Sequence, residues 1–333
     1  MKKSLASLSA LALLAPVAAC GADTSEADHT LTVANVWDAE HPMSAAVEDV
    51  FKTRVEEETG GAVEVEIHHG GTLGNEVDLW DSVRNGSVDS VVIGSAMNQE
   101  FPLMLISDWP FLYEDLEHAR DVWTGEVAED ISAEFEDEFP STEVLGWGPN
   151  SSRIFSSSEP LESVEDFAGQ RIRMPSNPIH VGLAEHLGAS PQIIPLGDLF
   201  TALETGVVEG QDNGMVTLRS QALYEVQDYV YETDHITATL AFIVNSDYLD
   251  TLPEEHRAVV EEAAAEASSQ AWDDYIDSID EDRELLEENG VTVTQPTEEE
   301  REEMISAIQP LYDELYADHL WAEELVAEIE AVN

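Results

Sequence analysis

Two hydrophobic periods take turns along the chain. Leu31 and Val33 alternate with polar neighbours and predict a strand ending near Asn35. Met43, Val47, Val50, Phe51 and Val55 then share one helical face, stopped by Gly60–Gly61. Val63, Val65 and Ile67 return to period two, and Leu79, Trp80 and Val83 to a helix after Leu73–Gly74. Residues 90–94 read as a buried strand. This βαβαβ run predicts one half of an open sheet whose parallel neighbours are joined by right-handed crossovers.

A second series begins near Gly148. Residues 153–157 and 171–174 read as strands, the latter stopped by Pro175. Ser163 with Asp166 has the spacing of a capping box. Ile179, Leu183 and Leu187 form a helical stripe ended by Gly188, and Leu199, Phe200 and Leu203 a shorter one. Val207–Val208 leads into Gly210-Gln211-Asp212-Asn213, and residues 241–244 form a further strand. From Pro253 to Asn289 runs a long helical pattern closed by Gly290, and everything after Pro296 is helical and acidic. Alternating elements without repeats give an α/β chain of two lobes with several crossings between them.

Charge changes the picture. The 333 residues carry 13 basic against 71 acidic side chains, a net charge of −58. Nucleic-acid binding needs cationic patches and is excluded as a function class; adhesion to anionic lipid is disfavoured likewise. Lysine occurs only at positions 2, 3 and 52. At about 1 M salt the Debye length is only ~3 Å, which would silence most of the self-repulsion. The surface therefore reads as adapted to brine. With 43% hydrophobic residues the chain can still bury a core.

Met1-Lys2-Lys3 is a positive start, Leu5 to Val17 an apolar stretch too short to span a bilayer, and Ala18-Ala19 a small-residue exit. Residues 1–19 read as a secretory signal peptide. Val17-Ala18-Ala19-Cys20 resembles a lipoprotein box, which makes Cys20, the single cysteine, the lipidation site and 20–29 a tether. The membrane is then met only through that anchor, and the protein works outside the cytoplasm.

Candidate chemistry is sparse. Neither a Gly-x-Ser-x-Gly elbow, a Walker A loop nor Gly-x-Gly-x-x-Gly is present. His68–His69 would point to opposite faces of a strand, which is poor metal geometry. Trp37, Trp109 and Trp147 could stack on a ligand or simply pack. Arg153 and Arg173 stand at the strands of the second series. A guanidinium fork matches a carboxylate with two parallel bonds. Either one could instead be a structural ion pair, since acids abound.

The ordered set His41-Pro42, Gly71-Thr72-Leu73-Gly74, Arg84-Asn85-Gly86-Ser87-Val88-Asp89, Phe167 to Pro175 (FAGQRIRMP), Leu187-Gly188-Ala189-Ser190-Pro191, Thr201 to Asn213 (TALETGVVEGQDN) and Tyr224 to Tyr229 (YEVQDY) resembles the solute-binding proteins of tripartite ATP-independent periplasmic (TRAP) transporters, DctP type. The resemblance covers about residues 31–316. It implies a periplasmic-binding-protein-like α/β fold. Each of its two lobes is a mixed sheet flanked by helices, and one long helix spans both. The division implied is 30–150 plus about 238–265 for the first lobe and 151–237 plus about 266–333 for the second. The lobes would close by a hinge motion on a small organic acid.

The resemblance further implies that Arg173 pairs with the ligand carboxylate. Arg153 with Asn150, and Asn213, would supply further contacts. Asn35 and Trp37 lie in the loop after the first strand, Glu76 opens the next helix, and Ser95 and Asn98 follow the third strand. It implies no catalysis, no cofactor and no metal: the tryptophan-plus-acid arrangement of some metal-bridged binders is not visible after Asn213. Ser95 replaces the acidic residue typical of sialic-acid binders, and Gly214 stands where many members have proline. Partners would be TRAP permease subunits driven by an ion gradient. The expected ligand is a sugar acid or C4-dicarboxylate; a compatible solute such as ectoine also fits. An ATP-driven (ABC-type) importer's binding protein and an extracellular hydrolase on acidic carbohydrate are the alternatives.

Overall fold

The computed structural model describes residues 27–332. The expected signal peptide 1–19, and Cys20 with most of its tether, lie outside the described residues. Nine strands form one sheet: β1 His29–Ala34, β2 Val63–His68, β3 Ser90–Ile93, β4 Thr142–Ser157, β5 Arg171–Met174, β6 Ser190–Ile193, β7 Gly210–Asn213, β8 Tyr229–Asn245 and β9 Thr292–Thr294. Their order is β2-β1-β3-β8-β4-β7-β5-β6, with β9 beside β8. β1 is parallel to β2 and β3, as the βαβαβ pattern predicted. β5 is parallel to β6 and β7. Between these two parallel sets lie β4 and β8, antiparallel to each other along their whole length.

β4 and β8 belong to both halves. Ser90–Ile93 of β3 pairs with the end of β8, whereas Gly210–Asn213 of β7 pairs with the end of β4. Register shifts interrupt the β4–β8 ladder between Val144 and Gly146, Pro149 and Ser151, and Arg153 and Phe155. Such bulges bend a strand and raise its twist. Each half is thus a mixed sheet flanked by helices. The sequence reading of a short strand at 153–157 and another at 241–244 is corrected: these are the ends of strands of 16 and 17 residues. Arg153 consequently sits inside β4 at a bulge and does not open a strand.

The long helix is Glu254–Glu288, 35 residues, about 52 Å at 1.5 Å per residue. Asn289 caps it and Gly290, at φ +92°, takes the left-handed position that ends helices. Its first part packs Ala263, Ala264 and Ala267 with Leu31, Val33, Phe51 and Phe242. Arg54, on the helical stretch 42–58, ties to it through Glu262 at 3.0 Å. Its last part buries Leu286 with Ile154, Leu199 and Leu218. Small residues allow the close approach: a Cβ on Gly146 would lie 2.5 Å from Ser268 Oγ. Trp109 and Trp147 are packing residues, 2% and 3% exposed. The expected capping box at Ser163 is also corrected. Ser163 Oγ bonds the Asp166 carboxylate at 2.9 Å, not the backbone, and only a 3-10 turn, Val164–Phe167, follows.

Candidate functional site: a cleft beside the shared strands

A cleft of about 540 Å³ opens where the two halves meet. Of the residues singled out in sequence, Trp37, Glu76, Ser95, Asn150, Arg153, Arg173 and Asn213 line it. Asn35 and Asn98 do not. Asn35 is 1% exposed and turned to His69 Nδ1 (3.0 Å) and Ser44 Oγ (3.4 Å). Asn98 donates to the Ser95 carbonyl at 2.6 Å. Asn98 thus supports the wall residue Ser95 from behind, whereas neither side-chain partner of Asn35 lines the cleft.

Arg173 lies one residue before the end of β5, where Pro175 stops the strand. Its Nε donates to the Ile194 carbonyl at 2.8 Å, which fixes the plane of the guanidinium. Its terminal nitrogens make no hydrogen bond among the described residues, and no carboxylate ion pair reaches it. Eight of the ten arginines are ion-paired, at positions 54, 84, 120, 153, 171, 219, 257 and 283. Arg301 lies over the Phe111 ring at 4.7 Å. Arg173 is thus a buried cation with its fork left to the cleft. Burial, then the neighbouring charge of Arg153, pull its pKa down to about 10. An opposite charge beside it would offset both.

Arg153 is occupied. Its Nε donates to Asp212 Oδ1 at 2.6 Å and its Nη2 to the Asp212 carbonyl. Asp212 Oδ2 meets His180 Nδ1 at 2.6 Å, and His180 Nε2 lies 3.2 Å from Asp108 Oδ1. Burial pushes the Asp212 carboxyl up, but Arg153 and His180 outweigh it and hold it well below the usual carboxylate range. Asp108 Oδ2 accepts from Asn177 Nδ2 at 2.8 Å, and the same amide bonds Ser95 Oγ at 2.8 Å. Sequence reasoning missed Asp108, Asn177, His180 and Asp212. Only Asp212 carried a signal, as the neighbour of Asn213 in the Gly210–Asn213 segment.

The polar remainder of the wall is held in place the same way. Glu76 Oε1 accepts from the Gly94 backbone at 2.7 Å, and burial raises its pKa. Asn213 Nδ2 donates to Gln211 Oε1 at 2.6 Å. The Asn150 carbonyl meets His41 Nε2 at 3.0 Å while Met43 N donates to His41 Nδ1, so the proton of this neutral imidazole belongs on Nε2. Burial lowers the pKa of His41 to about 4, keeping it neutral. The Asn150 Oδ1 is buried without a partner. Gly214 is required by contact: a Cβ there would lie 2.3 Å from Ser151 Cβ.

The family described as bacterial extracellular solute-binding protein, family 7 (DctP), matches residues 33–319. The chain belongs to this family, the solute-binding proteins of TRAP transporters. Such a protein binds its solute outside the cytoplasm and performs no catalysis, which sets aside the hydrolase and ATP-driven importer readings. A protein of Haemophilus influenzae is 30% identical over 87% of this chain and 88% of its own length. A solute-binding protein of Roseobacter denitrificans is 30% identical, covering 87% of each. Among solved structures, a TRAP periplasmic solute-binding protein of Haemophilus influenzae with bound L-gulonate superposes with a TM-score of 0.87 at 28% identity. It covers 92% of this chain and 100% of that one. One from Xanthobacter autotrophicus with bound β-D-galacturonate gives 0.84 at 25% identity, covering 91% and 100%.

Proposed function

We propose that this TRAP solute-binding protein captures a small organic acid in the cleft, with Arg173 as the carboxylate clamp. The observation that carries the reading is the buried guanidinium without an anion. In a chain of net charge −58 nearly every other arginine has found a carboxylate. The neutral lining, Asn150, Asn213 and Ser95, suits ligand hydroxyls, and Trp37 supplies an apolar wall. The similar proteins with bound L-gulonate and β-D-galacturonate support a sugar acid. A C4-dicarboxylate is the second candidate, supported by a C4-dicarboxylate-binding relative 27% identical to this chain.

The two halves, divided as the sequence reading has it, would close around the acid. Closure strengthens the ion pair as water leaves. The loaded protein then meets permease subunits driven by an ion gradient. Lipidation at Cys20 and adaptation to brine complete the proposal. A thermal-shift screen in molar NaCl with D-glucuronate, D-galacturonate, L-gulonate, succinate and ectoine tests the ligand class. A sugar acid is expected to raise the melting temperature most; no shift with any acid defeats the reading. Folding followed against NaCl tests the salt reading, which a full far-UV signal in about 20 mM buffer without salt refutes.

A further inference from the structure

The cleft wall holds a histidine that the carboxylate clamp does not use. His180 is 1% exposed, on the helix Pro178–His186. Its two ring nitrogens each face a carboxylate, Asp212 at 2.6 Å and Asp108 at 3.2 Å. A neutral imidazole carries one N–H and can satisfy one of them; the other would face a lone pair. Asp108 and Asp212 are 4% and 0% exposed, so water cannot make up the difference. With both acids ionised, the arrangement requires both nitrogens protonated.

We propose that the His180 imidazolium, gripped by Asp108 and Asp212, is the positioning residue that holds Arg153 and the 95–108 segment in the anion-binding arrangement, so that losing its proton releases the bound acid. The proposal rests on the solute-binding reading above. The chain of contacts is continuous: Arg153, Asp212, His180, Asp108, Asn177 and Ser95. The Asn177 amide has one hydrogen for Asp108 and one for Ser95, and its carbonyl oxygen caps its own helix at Ile179 N. Against the upward push of burial, His180 and Arg153 hold the carboxyls of Asp108 and Asp212 below their ordinary range. With both acids ionised, every proton has a place only when His180 carries two. It thereby joins the helix after β5 to the segment after β3, across the cleft from one half to the other.

The charged surroundings fix the direction. β7 presents Asp212, the 3-10 segment Pro102–Asp108 presents Asp108, and β4 presents Arg153. From β8 comes His235, whose Nε2 is 3.4 Å from Asp212 Oδ1 and whose pKa burial lowers. Arg173 of β5 and Glu76 face the same cleft. On the far side of its helix the helix Gln309–Asp318 presents Leu311 at Gly182. Burial and then the charge of Arg153 pull the His180 pKa down, but Asp212 and Asp108 together outweigh them, so the net direction is upward. A site that needs the charged form is intact below that raised pKa and fails above it. Arg173, with a pKa of about 10, keeps its charge up to pH 9 and cannot mimic the effect.

The test has two arms. In ligand-free protein, imidazole 15N spectra, with His180 assigned by its loss in His180→Gln, should show both nitrogens protonated at pH 7. A neutral ring there overturns the proposal whatever the ligand. In the second arm, the acid that shifts the melting temperature most in the screen above is titrated from pH 6 to 9. The wild-type dissociation constant should rise toward about tenfold per pH unit above the midpoint, as one linked proton requires. His180→Gln should be about tenfold weaker at pH 6 and independent of pH. Asp108→Asn should move the wild-type midpoint down by about one unit, and it carries the test if His180→Gln does not fold. A wild-type constant flat from pH 6 to 9, or an unchanged profile in the variants, overturns the proposal. If no acid shifts the melting temperature, the solute-binding reading fails, and the spectra alone decide the state of His180.

Discussion

Arg173 and Arg153 lie twenty positions apart, line one cleft, and are 3% and 4% exposed, yet they do opposite things. Near the end of β5, a single carbonyl orients Arg173; Asp212 and Glu76 act on it from a distance, but no carboxylate is in ion-pair contact among the described residues. At the bulge of β4, Asp212 takes Arg153 at both its carboxylate and its carbonyl. Burying an unpaired charge costs several kcal/mol, so the bare guanidinium weakens the empty protein. The paired one is part of the scaffold. Equal burial thus separates a cation left without an ion pair from one that has it.

Removing each arginine should expose the difference. Arg153→Ala strands the buried Asp212 carboxylate and should cost about 3–5 kcal/mol of folding stability, read by denaturant melts in molar salt. Arg173→Met should lower affinity for the bound acid by about 3 kcal/mol, read by calorimetry; an unchanged dissociation constant would sink the clamp assignment. The same variant should raise the stability of the empty protein by about 1–3 kcal/mol, because it removes a charge whose pKa burial had pulled to about 10. A loss of stability there would mean that Arg173 is structural after all.

Two smaller effects set the baseline. Asp282, 1% exposed, lies 3.1 Å from Arg219, and burial pushes its pKa up to about 6 despite that partner. A carboxyl raised on folding favours the folded state at low pH and loses that contribution as pH rises through the folded value. Asp282→Asn should therefore be more stable than wild type at pH 7, by about 1 kcal/mol, with the gain gone below about pH 4. Arg54→Ala, on an exposed network with Glu58 and Glu262, should change stability by less than about 1 kcal/mol, and less still in molar salt.

Legibility followed the same physics. β1 and β2 were readable because Leu31, Val33, Val63 and Val65 alternate with exposed positions. The long helix was readable from its length and its stop at Gly290. β4 and β8 were not, because they bury both faces and carry Gly146, Gly148, Pro149, Thr233 and Asp234 through bulges where alternation breaks. Arg173 stood out through the stretch ending at Pro175. The partner of Arg153 did not: Asp212 is 59 positions away, in a chain where 71 acids compete for the role. The Asp108–His180 contact joins residues 72 positions apart that share no pattern.

β4 and β8 run through both halves, bent at three bulges, and the 35-residue helix lies along β4. Widening or narrowing the cleft therefore flexes hydrogen-bonded ribbon, with no slack tether to swivel on. Deformation of that kind stores energy and gives it back. If the halves close on a solute as proposed, the molecule would behave as a pair of tongs bent from one strip of metal, in which the grip on the cargo works against the recoil of the strip.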